Sequence, residues 1–557
     1  MIKTKIVSSL EKVFLDQNID DFHALNRISA LIGERFSIQL LYSLTEVQTE
    51  AVRAFPKISG ALSKFVKLHT VNNVPVIKSV NYGFTDENYL RTSPGLFPDL
   101  LVPLDGELVI SSTDSVTLLE SLWLEIDIPE DCNDSVGESE LKIVLVDSLN
   151  GETLSESSIT VDLIGAVLPK QELILTQWFH CDCLASYYDL PVWSKRHWEV
   201  IENFATVAVK NGINMLLTPI FTPPLDTPVG GERPTVQLVD VRRKNGRYSF
   251  GFSKLDKWID MCNRVGIKYL EISHLFTQWG AAHAPKIMAT VDGEYKRIFG
   301  WDTDAHSEEY REFLRTFIKA FIRHMKKRGD DQRCYYHISD EPNEAQLENY
   351  KKSKAQVEDL LENYTIMDAL SSYEFYNQGV VKTPIPANDH IAKFIENGVP
   401  GLWTYYCCAQ CVKVSNRLVA MPSWRNRSIG MQMYKYGIKG FLQWGYNFYY
   451  NRYSLKSIQP YNDLSGEKWV PAGDPFSVYP GRDGQALESL RILVFAEALC
   501  DMRAMKLCES LYSKAEVVCA IEKELGDTLT FDRCALSADE MHRVRESINL
   551  MIKNKIK

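Results

Sequence analysis

From about residue 170 the sequence settles into a rhythm that limits its fold more than any other feature. Short apolar runs alternate with longer stretches that read as helices. The runs are LILTQWFH, INMLLTPIF, IKYLEISHLF, RCYYHISDE, YTIMDALS, GLWTYY and KGFLQWG. Between them lie LDKWIDMCNRVG, SEEYREFLRTFIKAFIRHMKKRG, NEAQLENYKKSKAQVEDLLEN and SIGMQMYKYG. Strand followed by helix, repeated, builds a parallel sheet. Seven such strands, with an eighth that no run marks, close most simply into a (β/α)8 barrel.

Before that point the pattern differs. FSIQLLYSL, PVIKSVNYGF, ELVISS, SVTLLESLWLEIDI, LKIVLVDS and SSITVDLIGAVL are separated by turn signals such as Asn150-Gly151 and Asp105-Gly106. Leu122, Leu124, Ile126 and Ile128 alternate as in a half-buried strand, so an antiparallel β-sandwich is predicted. At 557 residues the chain is too long for one ordinary core. The expected division is a sandwich over 1–168, with a helical lead-in allowed, a catalytic barrel over 169–505, and a helical extension over 506–557 packed on the barrel.

A hydrophobic share of 45% with 24% charged residues is that of a globular protein. The formal net charge of -10 leaves no basic footprint, so no nucleic-acid partner is expected. Glu11, Lys12, Asp16 and Asp20 break up the start before it can form the apolar core of a signal peptide, and no later run reads as a membrane span. The 12 cysteines lack zinc-ribbon or zinc-finger spacing and read as buried thiols. Together these features lead us to expect a cytoplasmic protein with no membrane partner. Oligomeric state is not encoded in any pattern we find.

Barrel enzymes place their chemistry on the loops after the strands. At one such end, RCYYHISDEPNEAQ puts Asp340 and Glu341 side by side before Pro342. The proline is expected to hold Glu341 extended and to open a helix directly, leaving both acids on the barrel rim. The bland reading of Asp-Glu-Pro is an acidic helix start that suits the macrodipole. Its place at a barrel strand end favours catalysis. Glycosidic cleavage needs an acid for the leaving oxygen and a second group for the developing oxocarbenium ion. Adjacent carboxylates are poorly placed to act from opposite faces, and fit better a scheme in which the substrate's own 2-acetamido group attacks.

Other strand ends supply candidates for sugar binding. Trp178, Trp403 and Trp444 could stack on a pyranose face, against the plain alternative of core packing. Tyr373, Tyr405 and Asn447 could hydrogen-bond hydroxyls, and His180 and His274 end their strands with the same capacity. No histidine–carboxylate cluster has metal-ligand spacing, and Gly230-Gly231 lacks a following Lys-Ser or Lys-Thr, so neither a metal nor a phosphate loop is expected.

HISDEPNE, the aromatic strand KGFLQWGYN, and DPFSVYPGRDGQALESLRI with Asp474, Tyr479, Pro480, Gly481, Ser489 and Arg491 together resemble glycoside hydrolase family 123. The resemblance implies a β-sandwich followed by a (β/α)8 barrel, a carbohydrate substrate, and retaining exo-β-N-acetylgalactosaminidase activity without metal or organic cofactor. It implies that Glu341 is the general acid and base and that Asp340 orients the acetamido group. Two alternatives stay open: a glycosidase on a non-acetylated or modified sugar with Glu271 or Asp368 as nucleophile, and a glycan-binding protein without turnover.

Overall fold

The computed structural model describes residues 2–556. It divides into two compact units: Met1–Gln171 with Cys411–Tyr436 and Leu487–Lys557, and Glu172–Gln410 with Gly437–Ala486.

The first unit is a sandwich of two five-stranded sheets. One runs in the order Ile2–Ser8, Arg35–Leu44, Glu120–Asp127, Val66–Val76, Gly95–Pro103, and the other Arg27–Ile32, Thr153–Val167, Gly137–Asp147, Val52–Ser59, Leu108–Ile110. Pairing is antiparallel except between Arg27–Ile32 and Thr153–Val167, which run parallel. The allowed helical lead-in is instead a strand, because Ile2 and Ile6 find apolar partners by pairing with Arg35–Leu44. Leu122, Leu124, Ile126 and Ile128 all join the inter-sheet core. Their strand is buried on its other face as well, where Trp123 and Glu125 lie. Helices within the same unit cover the outer faces: Leu490–Leu511 packs on the first sheet and Ala538–Ile556 on the second.

That arrangement groups residues 487–557 with the sandwich, not with the barrel they were expected to extend. Their polar residues show why. Arg491 makes a two-point ion pair with Asp99 on the first sheet at 2.8 Å. Arg427 binds Asp501 and Glu497 at 2.7 and 2.8 Å, and Arg545 joins Asp501 to Glu34 at 2.9 and 2.6 Å. These charges are buried, and each needs the others to compensate its lost hydration.

In the second unit eight parallel strands form the barrel: β1 (Ile174–Gln177), β2 (Met215–Thr218), β3 (Tyr269–Ile272), β4 (Cys334–Tyr336), β5 (Thr365–Ala369), β6 (Thr383–Ile385), β7 (Trp403–Tyr405) and β8 (Gly440–Gln443). Their order around the sheet is sequential, β6-β5-β4-β3-β2-β1-β8-β7. A parallel bridge between Ala387 and Tyr405 carries the ring across the β6–β7 gap. The strand without a sequence signature is β6, only three residues long. Every second residue faces inward, so Met215 and Leu217, Met367 and Ala369, and Trp403 and Tyr405 fill the lumen together. Two hairpins, turning at Asn245-Gly246 and Asp292-Gly293, elaborate the segments after β2 and β3. Among the described residues no helix is long and apolar enough to cross a membrane.

Gly440 is required at the start of β8, because an added Cβ would overlap the Trp403 indole lying across it. Gly440→Ala is expected to cost about 1–3 kcal/mol by overpacking the lumen. Thermal or denaturant unfolding of the variant measures this, and an unchanged midpoint would refute it.

Candidate active site

A cleft of about 650 Å³ opens on the ends of the barrel strands. Asp340, Glu341, Trp178, Tyr405 and Trp444, all picked out from the sequence, line it. Asp226, Gln278, Trp279, Cys407, Cys408 and Trp469 complete most of the wall and carried no pattern that marked them.

Asp340 and Glu341 lie beyond the last residue of β4, on the turn that follows. Glu341 is not extended as its proline neighbour suggested: its φ is 43°, in the left-handed region. Pro342 does not open the helix either. Asn343 caps a short 3-10 turn, Glu344–Gln346, and the α-helix Leu347–Ala355 follows. Tertiary bonds override the local preference, since the Glu341 N–H donates to the Ala369 carbonyl at 3.1 Å and the Asp340 carbonyl accepts from Trp279 N–H at 3.0 Å. Asp226 and Trp279 share the left-handed conformation, with φ of 51° and 59°. Strain of this kind costs of order 1–3 kcal/mol per residue and gathers at functional sites.

The two acids differ in surroundings. Tyr405 donates its hydroxyl to Glu341 Oε1 at 2.8 Å. The Asp340 carboxylate accepts no hydrogen bond from the described residues. Burial pushes Asp340 well above the usual carboxylate range, and Glu341 and Asp226 push it further while His337 opposes them. Burial also raises Glu341, with the Tyr405 bond working against it. Asp340 is half-buried and Glu341 is open to the cleft, and because the charge of Glu341 raises Asp340 the pair gives up its protons in two steps, carrying one proton between them.

Below the cleft lies a buried ionic layer. His337, which ends the apolar run before Asp340, bonds Glu271 through Nε2 at 2.8 Å and Asp368 through Nδ1 at 3.1 Å. Although burial disfavours its charge, the bonds to Asp368 and Glu271 lift His337 to about 10, so it is an imidazolium at neutral pH. Glu271 also accepts from Trp178 Nε1 at 2.7 Å and from the Thr176 hydroxyl. Asp368 accepts from Ile338 N–H at 3.1 Å and from the Tyr350 hydroxyl. Both carboxylates are thus fully engaged and absent from the cleft wall, which leaves neither placed to attack a sugar. Neither is therefore free for the nucleophile role that their strand-end positions suggest, and His337, which holds both, carries no sequence signal of that role.

His274, expected at the rim, stacks on His337 at 4.3 Å and 19° with both ring nitrogens unpartnered. Its burial among uncharged and cationic neighbours drives it well below the usual histidine range, so it is neutral. Donor atoms of His274, His337 and Asp368 lie within 4.8 Å of one another. Stacked rings direct their in-plane lone pairs along near-parallel planes and not to one point, so this set does not fit a metal ion.

The remaining candidates support the walls without forming them. His180 and Asn447 clamp the β1 and β8 loops: Asn447 Oδ1 accepts from His180 N–H at 2.9 Å and its amide donates to the His180 carbonyl at 3.1 Å. Burial and the nearby Arg233 lower His180 to about 3. Tyr373 packs edge-on to Phe394 at 5.3 Å, and Trp403 sits in the barrel lumen. Asp474 orients a wall residue, accepting from Trp444 Nε1 at 2.9 Å.

The sequence matches the family model for the glycoside hydrolase 123 catalytic domain over residues 178–508. No curated protein matches it. Among solved structures, a family 123 glycoside hydrolase from Clostridium perfringens, described for glycolipid glycan hydrolysis, superposes with a TM-score of 0.70 at 15% identity, over 99% of this chain and 98% of that one. A cold-adapted β-galactosidase from Rahnella sp. R3 gives 0.33 at 12% identity over 60% and 56% of the two chains. A β-glucuronidase from Bacteroides uniformis gives 0.28 at 10% identity over 81% and 47%. At those two scores neither bears on the fold.

Proposed function

The chain belongs to glycoside hydrolase family 123 and is a glycosidase, and from that premise we propose that it is a retaining exo-β-N-acetylhexosaminidase, preferring N-acetylgalactosamine, that works through the substrate's own acetamido group. The observation that carries this reading is the cleft's pair of consecutive carboxyls, one held by Tyr405 and one without a protein donor. In the first step the acetamido oxygen attacks C1 as the glycosidic bond breaks, and Glu341 gives its proton to the leaving oxygen. The acetamido N–H supplies the hydrogen bond that Asp340 lacks, so Asp340 takes the negative charge of the pair and the shared proton settles on Glu341. Asp340 then faces the cationic oxazolinium ring. In the second step Glu341 removes a proton from the water that opens the ring at C1, which restores the β-configuration.

The commitment of Glu271 and Asp368 to His337 speaks against the reading in which either is a covalent nucleophile. The decisive test combines two measurements on one aryl N-acetyl-β-galactosaminide. NMR should find the β-anomer as first product, and an N-acetylgalactosamine-thiazoline, which mimics the bicyclic intermediate, should inhibit competitively. Release of the α-anomer, or trapping of a carboxylate by a 2-fluoro glycoside, would replace the proposed mechanism.

A further inference from the structure

Asp226 lies in the loop after β2, where FTPPLDTP gives no spacing that marks it. It shares the cleft with Asp340 and Glu341. Its backbone is fixed from both sides despite a φ of 51°: Gln278 Oε1 accepts its N–H at 2.9 Å, and Ser454 donates to its carbonyl at 2.8 Å. The chain therefore holds this residue in an unfavourable conformation with its position defined. Its carboxylate accepts no hydrogen bond from the described residues.

Several donors on the neighbouring walls are already committed. Trp178 Nε1 bonds Glu271, Trp444 Nε1 bonds Asp474, Tyr405 bonds Glu341, and the Gln278 amide bonds the Thr227 carbonyl at 3.3 Å. No lysine, arginine or histidine lines the cleft among the described residues. Of the cations that act on these acids, Arg233 is buried in a two-point ion pair with Asp182 at 2.8 Å, and His337 is held by Glu271 and Asp368. The cleft thus presents two unpaired carboxylates and few donors to match them. Both acids are half-buried on the cleft wall, so a ligand that displaces their water must bring donors of its own.

We propose that Asp226 is a specificity-determining residue that accepts hydroxyl hydrogens of the terminal sugar and excludes sugars bearing carboxylate, sulfate or phosphate. Asp340 takes the single amide N–H of an N-acetylhexosamine, and Asp226 takes hydroxyls elsewhere on the ring. An anionic substituent would instead set acceptor against acceptor in a cleft with no cation to offset it. Burial pushes Asp226 up to about 7, with Arg233 working against the rise and Glu341 and Asp474 adding to it, so the acceptor role and the exclusion of anions both strengthen as pH rises above that value. The inference rests on the glycosidase reading of this cleft.

The test compares an aryl N-acetyl-β-hexosaminide with its 6-O-sulfate on the wild type and on Asp226→Asn. The wild type should favour the neutral substrate by about 100-fold in kcat/KM, and Asp226→Asn should lose roughly 10-fold on it, chiefly through KM, while narrowing the preference about 10-fold. Binding of free N-acetylhexosamine and its 6-sulfate to Glu341→Gln, followed by calorimetry with and without Asp226→Asn, reads the same ratio without turnover. If no N-acetylhexosaminide is hydrolysed, the proposed reaction fails and the binding ratio still decides the role of Asp226. Equal handling of neutral and sulfated sugars by the wild type, or a ratio unmoved by Asp226→Asn in a variant with unchanged melting, would overturn the inference.

Discussion

Glu341→Gln is expected to lower kcat/KM for an N-acetylhexosaminide with a sugar leaving group by about 10³-fold or more, the scale of losing positioned acid–base catalysis on both steps. The amide keeps the shape of the side chain and can still meet the Tyr405 hydroxyl, so structure and sugar affinity should persist. What disappears is the proton for the leaving oxygen and the base for the incoming water. Substrates whose leaving group is an acidic phenol need little protonation, so their first step should suffer far less. Comparing a nitrophenyl glycoside with the matching disaccharide thus separates acid catalysis from general damage.

The pH profile supplies an independent check on Glu341. Enclosure of its carboxyl by the cleft walls raises Glu341, so its acid form survives to higher pH than that of a fully solvated glutamate. The acid is lost as pH rises through that raised value, and kcat/KM should therefore fall on the alkaline side in the wild type. In Glu341→Gln that limb should vanish for a substrate with a poor leaving group. Equal losses on both substrate types, with the alkaline limb intact, would assign the acid to another residue.

How much of this was legible before the structure follows from which forces act locally. Seven barrel strands announce themselves because each carries enough apolar residues to fill a lumen from one side. Thr383–Ile385 does not, since a three-residue strand with Pro384 at its centre and Pro386 directly after it gives no periodicity, and only its pairing with β5 defines it. The sandwich was readable from Leu122, Leu124 and Ile126, but the burial of Trp123 and Glu125 on the opposite face was not, because that depends on which helices return to cover it. Helix Leu490–Leu511 is buried along most of its circumference, so it has no polar stripe to reveal what it packs against.

The site divides along the same line. Asp340 and Glu341 stood out because two acids end a strand, and Tyr405 and Trp444 because aromatics do. Glu341 defeats the rule for residues before proline, since the bond from its N–H to the Ala369 carbonyl comes from a neighbouring strand 28 residues away. Asp226 and Trp279 enter from the loops that lead into the two inserted hairpins, and a loop's course has no short-range signature. His337 was in view within HISDE, yet its role depends on Glu271 and Asp368, which lie on different strands.

Asp340→Asn is the variant that separates substrate assistance from every other retaining scheme. With an N-acetylated substrate kcat/KM should fall about 10²- to 10³-fold, comparable to removing one preorganised charge-stabilising contact from a transition state. The asparagine can still accept from the acetamido N–H, so ground-state binding should weaken little and the loss should fall mainly in kcat. What the variant lacks is the negative charge that faces the forming oxazolinium ring. An imidazolium, His337, lies beneath the pair and opposes part of the rise that burial and the neighbouring acids give Asp340. Affinity for the thiazoline mimic should fall in step with kcat/KM, because that inhibitor copies the bicyclic intermediate and not the substrate. A substrate carrying a 2-hydroxyl in place of the acetamido group should be turned over poorly by the wild type and lose only a few-fold more in Asp340→Asn, since its reaction never forms the ring that Asp340 faces. Should Asp340→Asn keep its rate on the N-acetylated substrate while thiazoline affinity holds, the acetamido group would not be the nucleophile, and Asp226 would become the first carboxylate to test by covalent trapping.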